Sequence, residues 1–145
     1  MMLLLGRSLL ALSLVLGFAA AGFAQTRGTP EEAKELATKA AAFVKSNGAD
    51  AAIKAFNTPG GEWHKADLYV FVIDSAGLYL AGNPTLVGKN ISDRSYVKEF
   101  LATKDTGWVN YSIVNPTTQK EEPKTSYVIR VGDDIVGVGA YKPTA

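Results

Sequence analysis

The sequence predicts an α+β fold in which a long N-terminal helix packs on a five-stranded antiparallel sheet, with a short helix and loops covering the other face. Three strand-like runs, rich in aromatic and β-branched residues, follow one another between positions 107 and 141 through tight turns. A helix-start signal and a strand hairpin precede them. Strands joined by short turns pair antiparallel, and a single amphipathic helix buries its apolar stripe on a sheet face.

The segment 1–24 has the layout of a secretory signal peptide. Arg7 precedes an apolar run over positions 9–21, and small residues end the segment at Ala24. The run is shorter than the roughly 20 residues that a membrane-spanning helix needs, which favours cleavage after Ala24 over a membrane anchor. The chain also lacks cysteine, so its core alone must stabilise it. These features predict a bacterial periplasmic or secreted protein.

The charge balance and the absence of cysteine exclude several classes of function. Without Arg7 the chain carries 14 basic and 14 acidic residues. A neutral chain offers no basic patch to nucleic acid or to an anionic membrane surface. The lack of cysteine excludes a thiol catalyst and a cysteine-ligated zinc site.

The helices come first in the mature chain. Residues 25–28 form a short polar lead, and one domain is predicted over 29–145. Thr29 is a helix cap, followed by a proline and then by Glu32, which can reach back to the cap. An alanine-rich apolar face continues to the Asn-Gly pair at 47–48, and a shorter helix is predicted over 50–56.

The strands and the segment between them follow in order. A strand buried on both faces and its hairpin partner precede an irregular crossing and a short helix, and three further strands complete the sheet. The predicted ranges are 68–73 and 78–81 for the hairpin, 86–91 for the crossing, 95–103 for the helix, and 108–114, 124–131 and 135–141 for the last strands. Gly137 and Gly139 are predicted to let the long helix lie close to the sheet.

A series of sequence strings follows in order over nearly all of the mature chain. They are LYVFV at 68–72, NPTLVGKN at 83–90, YVKE at 96–99, GWVNY at 107–111, NP at 115–116, EPKTSYV at 122–128 and VG at 138–139. Together these strings resemble the single Cache domains, which are PAS-like extracytoplasmic sensor modules of bacterial chemoreceptors and histidine kinases.

The resemblance implies a sensory pocket between the sheet and the crossing segment for a small organic acid, amine or other metabolite. It also implies a membrane chemoreceptor or histidine kinase as partner. No membrane helix or signalling domain follows Tyr141 in this sequence, so a free-standing periplasmic form is expected. Many relatives carry a histidine at the position of Gly82, and any ligand contact made by that side chain is missing here.

Two cations are the candidate binding groups for an acidic ligand. A buried Lys124 needs an anion beside it, which a ligand carboxylate can supply, with Ser126 adding a hydroxyl. Arg94 can bind a carboxylate through two parallel hydrogen bonds, and Tyr96 lies beside it. The alternatives are a Lys124 with its ammonium in water and an Arg94 paired with Asp93 or another surface acid.

Aromatic residues are the candidate walls of the pocket. Trp108 is the preferred wall, and Tyr69, Phe71 and Tyr111 are further candidates. Trp108 and Tyr111 point to opposite faces of one strand, so both can line the pocket only if a bulge intervenes. The alternative for each of these side chains is an ordinary place in the core.

The sequence contains no arrangement typical of an enzyme, a metal site or a cofactor site. We therefore expect a non-enzymatic periplasmic module that binds a small carboxylate or similar metabolite and acts in signal transduction or chemotaxis. The alternative is a protein-interaction or dimerisation module with a vestigial pocket, for which a second copy of the chain is a candidate partner. A third hypothesis is a haem sensor that uses His64, the only histidine.

Overall fold

The computed structural model describes residues 26–142 of the chain, so the predicted signal peptide at 1–24 lies outside the described residues. Three helices and six strands follow one another, with one turn of 3₁₀-helix at Gly61–Trp63. The elements are α1 Pro30–Asn47, α2 Ala49–Asn57, β1 His64–Lys65, β2 Leu68–Ile73, β3 Tyr79–Ala81, α3 Ser95–Ala102, β4 Thr106–Val114, β5 Glu121–Val131 and β6 Asp134–Tyr141. Within this described part of the chain, no helix combines the length and the apolar character needed to cross a membrane.

The strands form one antiparallel sheet in the order β1-β2-β6-β5-β4, and β3 also pairs with β2. This confirms the predicted α+β class. The sequence predicted five strands, and the sixth is the two-residue strand β1, whose His64 pairs with Tyr69 of β2. Strand β5 lies between β6 and the edge strand β4.

Helix α1 begins and ends as the sequence predicted. The Thr29 side chain accepts a hydrogen bond from the backbone of Glu32, and the Glu32 carboxylate accepts one from the Thr29 backbone. Gly48 ends the helix with a positive φ of 86°. The buried face of α1 is mostly alanine, which lets the helix axis approach the sheet closely. Its buried residues are Ala33, Leu36, Ala37, Ala40, Ala41 and Val44.

The sheet separates two apolar layers, and β2 contributes alternate side chains to both of them. Val70 and Val72 of β2 join Val136 and Val138 of β6 under helix α1. Phe71 and its neighbours at odd positions of β2 point to the opposite layer, which α3 and the crossing segment cover. All six residues of β2 are buried, as the sequence predicted for this strand.

The two glycines of β6 face away from α1, so the prediction that they admit the helix is wrong. Valines and an alanine occupy the helix-facing positions of β6. A Cβ on Gly137 would lie 2.3 Å from the ring of Phe71, and one on Gly139 would lie 2.2 Å from Ser126 Oγ and 2.3 Å from Lys124 Cε. These glycines therefore make room for side chains of the opposite layer.

Candidate functional site

A closed interior cavity lies between the sheet and its covering segments, on the face opposite α1. Its volume is about 10 Å³, which is room for a single water molecule at most. Strands β2, β4 and β5 supply its floor, while the crossing segment and α3 supply its roof. The lining residues are Tyr69, Phe71, Ile73, Tyr79, Leu86, Ile91, Tyr96, Phe100, Tyr111, Ile113 and Lys124.

Lys124 is the cation of this interior, and only 3% of its surface is exposed. Its Nζ donates hydrogen bonds to the hydroxyls of Tyr69 at 3.0 Å and of Tyr141 at 3.4 Å. It also lies 4.3 Å from the centre of the Tyr69 ring, 4.6 Å from that of Tyr141 and 5.5 Å from that of Phe71. Between residues 26 and 142, no carboxylate forms an ion pair with it. This position excludes the alternative considered from the sequence, in which the ammonium group of Lys124 lies in water.

Burial changes the acid–base behaviour of Lys124. Desolvation lowers the pKa of its ammonium to about 7, and the charge of Asp67 acts weakly in the opposite direction. The aromatic faces also favour the ammonium form, because their negative quadrupoles attract a cation. Lys124 therefore exchanges between ammonium and free amine near neutral pH.

Tyrosine hydroxyls surround the amine. Tyr69 and Tyr141 share a hydrogen bond of 2.8 Å, and Tyr111 shares one of 2.8 Å with Ser126. Burial raises the pKa of Tyr69, Tyr111 and Tyr141 above the usual range, so these phenols stay protonated and can donate. The interior offers an anion one ammonium group and several hydroxyl donors.

Helix α3 closes the interior through Tyr96. The Tyr96 ring stacks on that of Tyr111, with the centroids 4.3 Å apart and the planes 12° apart, and it meets Phe100 edge-on at 5.6 Å. Arg94, at the N-terminal cap of α3, donates a hydrogen bond of 2.7 Å from Nη1 to the Tyr96 hydroxyl. In the described residues no acid pairs with Arg94, so the alternative pairing with Asp93 is not found.

An open groove of about 430 Å³ lies outside this cover. Leu86, Tyr96 and Ile113 line both the groove and the cavity, so these three side chains separate the two spaces. Arg94 lines the groove, whereas Lys124 lines the cavity. The structure therefore brings Arg94 together with Tyr96, and Lys124 together with Tyr69, but keeps the two cations in separate spaces.

Six of the eight predicted site residues line the cavity or contact a residue that does, on the inner face of the sheet. They are Tyr69, Phe71, Tyr96, Tyr111, Lys124 and Ser126. Arg94 lies in the groove outside the cavity.

Trp108 requires a correction, because it does not line the cavity. It is 44% exposed and packs at 5.0 Å on the ring of Tyr127, on the side of the sheet that carries α1. The strand β4 has no bulge between Trp108 and Tyr111, as the continuous pairing with β5 shows. The alternation of side chains therefore sends the two residues to opposite faces, and Tyr111 is the one inside.

Tyr141 and Tyr79 belong to the site, and the sequence reasoning did not include them. The register of β5 and β6 places Tyr141 directly opposite Lys124. Counting back from the tight turn, where Val131 pairs with Asp134, gives this pairing from the sequence. Tyr79 stacks on Phe71, and its hydroxyl accepts a hydrogen bond from the backbone of Asn83 at 2.9 Å.

The position at which many relatives carry a histidine has no room for a side chain here. Gly82 has a φ of 124°, and a Cβ on it would lie 2.4 Å from the Tyr79 hydroxyl and 2.8 Å from Cβ of Phe71. Tyr79 therefore takes up the space into which residue 82 would point.

A second concavity of about 250 Å³ lies outside the Tyr69 side of the interior, between the β1–β2 turn and the segment after β3. It contains Asp67, a residue that is 5% exposed and whose carboxylate accepts a hydrogen bond from the Gly28 backbone. It also contains His64, whose Nε2 lies 3.2 Å from the Phe56 carbonyl. Across residues 26–142, no group of three or more histidine, aspartate or glutamate side chains is placed to hold a metal ion.

Solved structures of similar fold belong to bacterial chemosensory proteins. One is a methyl-accepting chemotaxis protein from Vibrio parahaemolyticus, with a TM-score of 0.60 and 22% identity over 77% of this chain and 86% of that one. Another is a periplasmic sensor domain of a chemotaxis protein, with a TM-score of 0.57 and 22% identity over 78% and 90%. A third, described as a Cache chemosensory domain that recognises carboxylic acids, has a TM-score of 0.56 and 23% identity over 78% and 88%.

The sequence itself matches a family model. The model describes single Cache domain 2 and matches residues 18–142. A comparison with curated protein sequences gives no match. Because the family model covers most of the chain and the solved structures share its fold, the chain belongs to the single Cache domain 2 family.

Proposed function

We propose that this chain is a non-catalytic periplasmic sensing module that binds a small carboxylate through the ammonium group of Lys124. The family consists of extracytoplasmic sensor domains, and a solved domain of the same fold recognises carboxylic acids. The observation that carries the proposal is a fully buried lysine that pairs with no acid among residues 26–142. Signalling would then follow through a membrane chemoreceptor or histidine kinase.

Charge is the first argument for an anionic ligand. An ammonium group in an apolar interior is costly unless an anion meets it. A ligand carboxylate beside Lys124 would remove that cost and raise the pKa of the lysine again. The hydroxyls of Tyr69, Tyr141 and Tyr111 can donate to the remaining oxygen lone pairs.

The small volume of the cavity means that an acid can bind only if a covering side chain moves. A cavity of about 10 Å³ cannot admit even a formate ion, so the described state is closed. Displacement of Tyr96 would join the cavity to the groove of about 430 Å³ and bring Arg94 to the same ligand. A ligand that enters in this way would contact both Lys124 and Arg94, so its binding would depend on the position of α3.

Isothermal titration of the mature chain with formate, acetate, propionate and lactate tests the proposal. We expect at least one acid to bind, and Lys124→Met to weaken that binding by about tenfold or more, because a hydrogen bond to a charged group contributes about 1.5–3 kcal/mol. Lys98→Met is the matched control, since Lys98 is exposed on α3. Equal binding by wild type and Lys124→Met would contradict the proposal.

The closed cavity also favours a second candidate function, a dimerisation or protein-interaction module with a vestigial pocket. The exposed Trp108 and Val114 on the edge strand β4 give such a surface apolar contacts. Sedimentation of the wild type and of Lys124→Ala separates the two functions. A stable dimer that Lys124→Ala leaves intact, with no binding of any acid, would favour the interaction module.

A further inference from the structure

The chemistry around Lys124 goes beyond that of an ion-pair partner. Its Nζ is held against two phenol hydroxyls in a closed apolar interior, with no carboxylate paired to it in the part of the chain that the structure describes. A lysine desolvated in this way is a nucleophile towards carbonyl carbon. We propose that Lys124 captures a small aldehyde or 2-oxo acid covalently, as an imine on Nζ. This inference rests on the proposed function, because it uses the same site.

The geometry supplies the groups that imine formation needs. The free amine requires access to a carbonyl carbon and a nearby acid that protonates the carbonyl oxygen. The Tyr69 hydroxyl lies 3.0 Å from Nζ and the Tyr141 hydroxyl 3.4 Å, and these two hydroxyls lie 2.8 Å apart. A proton can therefore pass between them and the reacting oxygen without a water chain.

The step balances without any redox partner. The nitrogen lone pair of Lys124 attacks the carbonyl carbon, the C–N bond forms, and the carbonyl π bond breaks. A proton moves from nitrogen to oxygen through the phenols, which gives a carbinolamine. A proton from solvent, relayed by the phenols, then protonates the hydroxyl of the carbinolamine. Loss of that group as water leaves a C=N⁺ double bond. One amine, one carbonyl compound and one proton thus give one protonated imine and one water molecule.

The protonated imine, like the ammonium group, is a cation that the surrounding aromatic rings stabilise. A protonated imine keeps the positive charge between the rings of Tyr69, Tyr141 and Phe71. A 2-oxo acid, like a simple acid, can reach Lys124 only after Tyr96 is displaced. In its imine, the ligand carboxylate is bonded to the imine carbon and compensates the positive charge. Desolvation lowers the pKa of Lys124 to about 7, which supplies the free amine near neutral pH. Exclusion of water would slow hydrolysis of the imine.

Reductive trapping tests the inference. The mature chain is incubated with glyoxylate, a small 2-oxo acid, and cyanoborohydride near neutral pH, and its intact mass and peptide map are followed in time. We expect one carboxymethyl group at Lys124 to appear at least about tenfold faster than at any other lysine. Trapping at Lys124 no faster than at exposed Lys98 or Lys142 would overturn the inference.

Two controls separate this inference from the proposed function. The variants Lys124→Arg and Lys124→Met should lose the fast modification, while Lys98→Arg keeps it. Isothermal titration with acetate, which has a carboxylate but no reactive carbonyl, reports the ion-pair function alone. Binding of acetate without fast trapping of glyoxylate overturns only the imine. Fast trapping at Lys124 without binding of any simple carboxylate supports the imine and overturns the ion-pair function.

Discussion

Lys124 is the only buried lysine among residues 26–142. Lys124 lies near the start of β5, where aromatic rings and phenols replace water around its Nζ. Removing water favours the neutral amine, whereas the rings favour the ammonium. Burial lowers the pKa of Lys124 to about 7, and this lowered pKa leads to the predictions below.

Lys124 should make the stability of the ligand-free domain depend on pH. Its folded pKa of about 7 is below the value near 10.5 of an unfolded lysine, so the unfolded chain binds the extra proton between these values. The free energy of unfolding should therefore rise with pH, by about 1.4 kcal/mol per pH unit from Lys124 between about pH 8 and 9. This contribution is lost as the pH falls from the unfolded to the folded pKa.

Urea denaturation of the wild type and of Lys124→Met at several pH values measures this contribution. The difference between the two proteins isolates Lys124, because the other titrating groups are common to both. Parallel curves for wild type and variant across this range would show that Lys124 keeps an ordinary pKa in the folded state.

The second prediction concerns Gly139, which leaves no room for a larger side chain beside Lys124. An added Cβ would meet Ser126 Oγ and Lys124 Cε at 2.2 and 2.3 Å, so Gly139→Ala must displace the lysine. We expect a loss of about 1–3 kcal/mol in the free energy of unfolding, together with weaker acid binding. Gly107→Ala is the matched control on β4, because its Cβ would meet only Thr103 at 3.7 Å. Equal effects of the two substitutions would contradict this packing.

Among the elements, helix α3 is the short cover of the site. It is eight residues long, its buried side chains are Val97 and Phe100, and it presents Tyr96 as the cover of the cavity. The sheet beneath is continuous, with β5 paired along its length to β4 and β6. A rigid floor and a short covering helix favour opening on the α3 side.

Tyr96→Ala should open the cavity towards the groove. We expect faster association of the bound acid in stopped-flow measurements and a loss of about 1–2 kcal/mol in stability, since the stacking with Tyr111 is removed. Tyr127→Ala is the control, because Tyr127 is also half-buried but lies on the α1 side. It should lower stability and leave the association rate unchanged. An unchanged rate in Tyr96→Ala would show that ligands enter elsewhere.

The elements also show how far the sequence alone could go. Helix caps and strand runs are local signals, so α1, β2 and the three last strands were predicted closely. Lys124 and Ser126 were proposed as a cation and a hydroxyl of the EPKTSYV string, and in the structure both side chains lie against Gly139. Trp108 was misplaced because aromatic character does not tell which face of a half-exposed strand meets a cavity. Tyr141 required the register of β6, and the function of Gly139 required the position of its neighbour Lys124.

For the whole molecule, the described segment ahead of α1 is tied to the sheet by charge. Arg27 forms an ion pair with Glu122 of β5 and lies 3.7 Å from Asp67, while Gly28 donates a hydrogen bond to Asp67. The hydrogen bond from Arg27 lowers the pKa of Glu122. Both acids are buried beside this one arginine.

Arg27→Ala should therefore destabilise the fold. We expect a loss of about 1–3 kcal/mol in the free energy of unfolding, because two buried carboxylates lose a cationic partner. Adding Glu122→Gln should recover part of the loss by removing one of the two charges. Urea denaturation of the single and double variants measures this. A double variant less stable than Arg27→Ala would contradict the assigned pairing.

The central claim is that the buried amine of Lys124 binds an acidic ligand. The pKa of that amine tests the claim most directly. Nuclear magnetic resonance of the Lys124 side chain, titrated with and without the acid that calorimetry identifies, gives this pKa. We predict a value of about 7 in the free domain and a clear rise in the complex. A pKa near 10.5 in the free domain, or one that no bound acid changes, would contradict the claim.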